Sequence, residues 1–123
     1  FGGTVIAWID ICAAMAAQRH ARSSVVTASM EAVDFIAPIR LGDLVNLTAS
    51  VDSVGRSSMI VGVRVEAEDL TTGERSHAAN AHVTFVALNG DGVSQEVPRL
   101  NIQTAEERGR HEAAERIKAR RGL

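Results

Sequence analysis

The segment that most limits the fold is the run from Thr4 to about Arg22. Val5, Ile6, Ala7, Trp8, Ile9, Ile11, Cys12, Ala13, Ala14, Met15, Ala16 and Ala17 put apolar side chains on nearly every face of a helix. Such a helix is expected to be surrounded by protein, because no polar face is left for water. Gln18, Arg19, His20 and Arg22 mark where it emerges. The run is too short to cross a bilayer, which needs roughly 20 apolar residues. It has no basic leader and Asp10 interrupts it, so it does not read as a signal sequence either.

The rest of the chain is built to wrap that helix. Ser24–Phe35 carries the β-formers Val25, Val26, Thr27 and Val33 and reads as a strand, and Pro38 with Leu41-Gly42-Asp43 marks a turn. Val45, Leu47, Ala49 and Val51 alternate with Asn46, Thr48, Ser50 and Asp52, which predicts a strand with one buried face. Met59, Val61, Val63, Val65 and Ala67 repeat the pattern after a turn at Val54–Ser57. Ala79, Ala81, Val83, Phe85 and Ala87 repeat it again after Thr71–Glu74. Gly90–Pro98 reads as an exit loop. Thr104-x-x-Glu107 is a capping box that opens a charged helix to about Arg121. With only Ala113, Ala114 and Ile117 to bury, that helix is expected to pack lightly, or against a partner. One long helix followed by four meandering strands predicts an α+β chain in which a curved antiparallel sheet embraces the helix. We assign residues 1–98 to this domain and residues 99–123 to a C-terminal helical extension. The chain opens on Phe1 in mid-pattern, and a first strand is expected ahead of it.

Composition narrows the function classes. At 123 residues there is room for one core, and a net charge of −2 gives no general field for nucleic acid. Cys12 is the only cysteine, so no internal disulfide forms, which fits a reducing, cytoplasmic setting. It lies in an apolar run without an adjacent base and reads as a small packing residue. His77 and His82 have no third ligand at metal spacing, and neither a GxSxG elbow nor a phosphate-binding glycine loop occurs. We expect no metal and no cofactor.

Asp10 is the chemically informative residue. A carboxylate inside an apolar helix costs several kcal/mol if buried without a partner, and perturbed carboxylates gather at active sites. Gly2-Gly3 lies at the start of the same helix, where free N–H groups and the helix dipole favour negative charge. Gly3 and Asp10 are close to two turns apart and so lie on nearly the same side.

Phe1-Gly2-Gly3-x-x-x-x-Trp8-x-Asp10, Ala17-x-Arg19-His20, Val26-Thr27-Ala28-Ser29, Phe35-x-x-Pro38, Gly42-Asp43 and Gly55-Arg56-Ser57-Ser58-Met59 together resemble the acyl-CoA hydrolase branch of the hotdog superfamily. The resemblance implies a hotdog fold and thioester hydrolysis of fatty acyl-CoA, with CoA present as part of substrate and product. It implies that Asp10 is the general base or nucleophile and that the Gly3 N–H polarises the thioester carbonyl. It also implies that Ala28, Ser29 and Met30, with Ser57, Ser58 and Met59, line a CoA channel, and that Arg116 contacts CoA phosphate. Arg56 is a further candidate for phosphate, although an arginine in a hairpin is more often a solvated turn residue. The family pattern includes an asparagine that would lie ahead of Phe1. Similar proteins are homodimers or trimers of dimers, and we expect Ser24–Phe35 to pair with its two-fold copy. Two other functions fit the fold. A hydratase or dehydratase would want a histidine on the buried helix, which is absent. A non-catalytic acyl-CoA sensor would carry a DNA-binding segment.

Overall fold

The structure is a computed structural model and describes residues 1–121. Helix α1 spans Gly2–Ala21, strands β1 to β4 span Ser24–Phe35, Leu44–Val54, Ser58–Glu68 and Arg75–Leu88, and helix α2 spans Ala105–Arg120. The strands form one antiparallel sheet in the order β1-β4-β3-β2. This is the expected α+β arrangement, and both helices and all four strands predicted from Thr4 onward are present. One boundary moves: the glycine pair forms the first turn of α1 instead of preceding it, with Phe1 as N-cap. At the other end Arg22 takes a left-handed conformation (φ 55°) and returns the chain antiparallel along the helix as β1.

α1 lies across one face of the sheet and touches all four strands. Its buried residues recur every fourth position: Val5, Ile9, Ala13, Ala17 and Ala21. Four-residue spacing keeps them on one stripe. The small residues toward the C-terminal end let the helix lie close on Met59, Val61, Val63 and Val65 of β3 and on Ala79, Ala81, Val83 and Phe85 of β4. The expectation that α1 is surrounded by protein does not hold within one chain. Ile11 and Met15 are each 59% exposed, and Ile6, Trp8 and Phe1 are exposed as well. Four strands cover one stripe of a helix, and the opposite apolar face stays open.

The other face of the sheet is polar and carries α2. Residues 94–99 take the chain there. Gln95 and Val97 donate to the carbonyls of Ala87 and Arg56, the His20 ring meets the carbonyl of Pro98, and Val97 is buried. α2 begins with the expected capping box, Thr104 with Glu107. It buries Ala114 and Ile117, and on the sheet face beneath it Ile60 is only 4% exposed although it alternates out of the core. α2 therefore packs on its own sheet, through a narrow apolar contact and several polar ones.

Candidate active site

Asp10 comes directly after the buried stripe residue Ile9, so its side chain leaves the helix at the margin between core and open face. There it is half-buried, and the Thr27 hydroxyl donates to its Oδ1 at 2.9 Å. A charge-assisted bond of this kind satisfies one oxygen and orients the carboxylate, leaving the other oxygen for a ligand. Asp10 is thus neither a fully buried charge nor a solvated one. Thr27 was not singled out by sequence reasoning. It is the one threonine of β1, with nothing in the strand's pattern to tie it to the helix, and only the antiparallel return of β1 along α1 brings it to Asp10.

At the helix start the amides of Thr4 and Val5 both donate to the Phe1 carbonyl, which leaves Gly2 and Gly3 with the unpaired N–H groups that every helix start presents. A side chain at Gly3 would meet nothing within 4 Å, so its backbone is open to approach. Beside it lies an apolar recess of about 280 Å³ lined by Phe1, Gly2, Val5, Phe35, Pro38 and Ile39, among others. Seven residues of helix separate Gly3 from Asp10 along the axis, about 10 Å.

The strand residues form a transverse band at the same level. Thr27 stands opposite Phe85, Phe85 opposite Met59, and Met59 opposite Val54. The two predicted CoA-lining segments therefore sit on β1 and β3 with β4 between them. They do not share one face. A bulge at Ala28 places Ser29 in register with Thr84, on the α2 side, while Met30 packs against the core on the α1 side. The Ser29 hydroxyl is buried with no hydrogen-bond partner among the described residues. The Met59 side chain is wholly buried in the core. Ser57 and Ser58 are half-buried beside the exposed Arg56 at the β2–β3 turn. Arg116 is exposed and lies two residues from the buried Ala114, about 200° around the helix. It points away from its own sheet and is not brought to Asp10 within one chain.

Cys12 is half-buried, and burial pushes its thiol above the usual range, as suits a packing residue. Among the described residues no group of three His, Cys, Asp or Glu side chains is placed to hold a metal. No described helix is long and apolar enough to cross a membrane.

The family model of the thioesterase superfamily matches residues 1–74. YkhA of Bacillus subtilis, named an uncharacterized acyl-CoA thioester hydrolase, is 47% identical over 114 residues, covering 93% of this chain and 66% of that protein. The chain belongs to the thioesterase superfamily. It spans just under two thirds of the length of that relative. Among solved structures, an apo-hexameric acyl-CoA thioesterase superposes with a TM-score of 0.95 at 43% identity, covering 99% of this chain and 78% of that one. The acyl-CoA hydrolase of Staphylococcus aureus, solved with butyryl-CoA and CoA, superposes with a TM-score of 0.89 at 41% identity, covering 98% and 76%. The hotdog fold inferred from the sequence is therefore the fold of this chain.

Proposed function

We propose that the protein hydrolyses fatty acyl-CoA to a free fatty acid and CoA, with Asp10 as general base. The observation that carries this reading is the Asp10–Thr27 hydrogen bond, which fixes a carboxylate at the edge of an open apolar face. Asp10 takes a proton from water as the water oxygen attacks the thioester carbon. The carbonyl oxygen becomes an oxyanion, and the Gly3 N–H with the helix dipole stabilises it. Collapse breaks the carbon–sulfur bond, and the departing thiolate takes the proton back from Asp10. The S. aureus hydrolase has been studied as alanine variants at an aspartate and at a threonine 17 positions further on. Asp10 and Thr27 have the same separation.

An oxyanion donor must lie within about 3 Å of the carbonyl oxygen, and the nucleophile within about 3.5 Å of the carbon. The rise of about 10 Å between Gly3 and Asp10 on one helix strains that requirement. We therefore place the site between two copies of the chain, with Gly3 of one facing Asp10 of the other. The uncovered face of α1 (Ile6, Trp8, Ile11 and Met15) and the free edge of β1 are the surfaces that a two-fold partner covers. Three such pairs would make a hexamer, the state named for one neighbour. The acyl chain enters the apolar recess beside Gly2. Arg56 and Arg116 supply charge-assisted donors for CoA phosphates. Because Arg116 points off its own sheet, the phosphate it binds lies between copies. No further cofactor takes part, and we place the protein in the cytoplasm.

Thiol release from acyl-CoAs of graded chain length tests the reading. We expect hydrolysis of at least one fatty acyl-CoA, and a shift toward short chains when Ile39→Trp fills the recess. No thiol release from any chain length would refute it.

A further inference from the structure

A buried polar cluster lies beneath α2, on the face of the sheet away from Asp10, and the proposed chemistry does not use it. Its centre is Asp52, which is 5% exposed. Asp52 is the extra residue of a bulge in β2, where the register to β3 slips between Val51 and Ser53. Bulges re-aim side chains. This one leaves Asp52 and Ser53, both buried, at the place where α2 docks. The neighbouring strand makes room for the carboxylate at Gly62, where a Cβ would come within 2.2 Å of Asp52 Oδ2. The Ser50 hydroxyl donates to Oδ1 at 2.6 Å, and His82 lies alongside with its Nδ1 buried and unpartnered among the described residues.

Three ties from α2 converge on this bulge. The Arg110 guanidinium stands 3.6 Å from Asp52 Oδ1, the His111 ring bonds the Asp52 carbonyl at 2.9 Å, and the Ser53 hydroxyl donates to Glu115 at 2.7 Å. The apolar part of the same contact is small, with Ala114 and Ile117 as the buried side chains of α2. A helix with so little apolar area depends on its polar ties for register, and removing Arg110 leaves the buried Asp52 carboxylate without its cationic partner.

We infer that Asp52 is a positioning residue: seated by the bulge and by Gly62, it fixes α2 on the sheet and through α2 sets how tightly acyl-CoA is held. The second half rests on the acyl-CoA reading above, in which Arg116 of α2 binds phosphate. Arg116 leaves the helix on the side opposite the anchor, so a shift of α2 displaces it without touching Asp10 or Gly3.

The test uses the full chain with Asp52→Asn, Gly62→Ala and Arg110→Gln. Gly62→Ala removes no charged group, yet its Cβ must displace the Asp52 carboxylate. Arg110 is surface-exposed, so its variant keeps the core intact if the others fold poorly. Hydrogen exchange of α2 amides is measured together with kcat and KM for octanoyl-CoA. We expect α2 exchange to rise at least about tenfold, as for local opening of a loosened element, while exchange in β3 and β4 is unchanged. KM should rise with kcat preserved. Unchanged α2 exchange in Gly62→Ala and Arg110→Gln overturns the anchor. Faster α2 exchange with unchanged KM overturns its role in binding. If the parent chain releases no thiol from any acyl-CoA, the hydrolase reading falls instead, and the exchange data still decide the anchor.

Discussion

The two helices lie on opposite faces of one sheet and are held by different means. α1 presses a stripe of five apolar residues onto the strands and leaves Ile6, Trp8, Ile11 and Met15 facing out. α2 buries two apolar residues and relies on Arg110, His111 and Glu115 to reach the β2 bulge. Apolar packing is strong but poorly directional, whereas polar ties fix register. An apolar helix with one face uncovered within the chain is the natural half of an interface, and Asp10, the proposed base, sits at the edge of that face. A polar helix tied to the β2 bulge through Arg110, His111 and Glu115, and to Glu31 and Thr84 through Arg121 at its C-cap, is an appendage set in a defined position. On the proposed reading, the difference puts catalysis at the apolar face of α1 and phosphate positioning on α2.

The largest effect expected from breaking this contrast is on assembly. Ile11→Arg puts a charge on the open face of α1 without touching the buried stripe, so it should convert the assembly to monomers and abolish turnover with it. Sedimentation velocity alongside the thiol-release assay checks this. A charge-bearing variant that remains assembled and active would mean that the face is free surface. Ile9→Ala acts on the buried stripe and should cost about 2 to 5 kcal/mol of stability, the range for deleting a fully packed aliphatic side chain, as read from chemical denaturation. For α2 the expected costs are smaller. Thr104→Ala removes the N-cap hydroxyl that accepts from Glu107 and should cost about 1 kcal/mol.

The smallest effect is a pH slope. Burial lowers the pKa of His82 below its ordinary 6.5, against the raising influence of Asp52 and with Arg120 adding to the depression. The folded state therefore resists protonation of this ring. Its contribution to stability is complete above pH 6.5 and is lost as pH falls through the depressed folded value. Burial raises the Asp52 carboxyl, opposed by the Ser50 hydroxyl, Arg110, His82 and the Gly62 backbone. A raised carboxyl favours the folded state on protonation, so at lower pH it works in the opposite sense to His82. Replacing His82 with Gln should flatten the loss of melting temperature just below pH 6.5, and an unchanged slope would show that the ring is not the titrating group.

The sequence made β2, β3 and β4 legible because each alternates apolar and polar residues over at least four positions, and it made α2 legible through Thr104 and Glu107. It misjudged the surroundings of α1, because an apolar helix looks the same whether its own sheet or a second copy covers it. Asp10 stood out as a charge in an apolar run. Thr27 did not, since its partnership arises from the pairing of β1 against α1, 17 positions apart. The bulges were invisible for a related reason. Asp52 fits the alternation that precedes it and Ala28 lies in a strand with no alternation to break, so only the pairing register shows an extra residue at each place. That is why the segment Ala28–Met30 is split across two faces, and why Asp52 read as one more outward polar residue.

The most direct measurement of the central claim compares the parent chain with Asp10→Asn, a change that keeps the shape and the Thr27 contact but removes the base. General base catalysis contributes about 10² to 10⁴ in rate, so kcat for acyl-CoA hydrolysis should fall at least that far. Melting temperature and assembly should be unchanged or slightly improved, because a half-buried charge is lost. Retained turnover in Asp10→Asn, or a collapse of stability large enough to explain its loss, would contradict the account and make Asp10 a structural partner of Thr27.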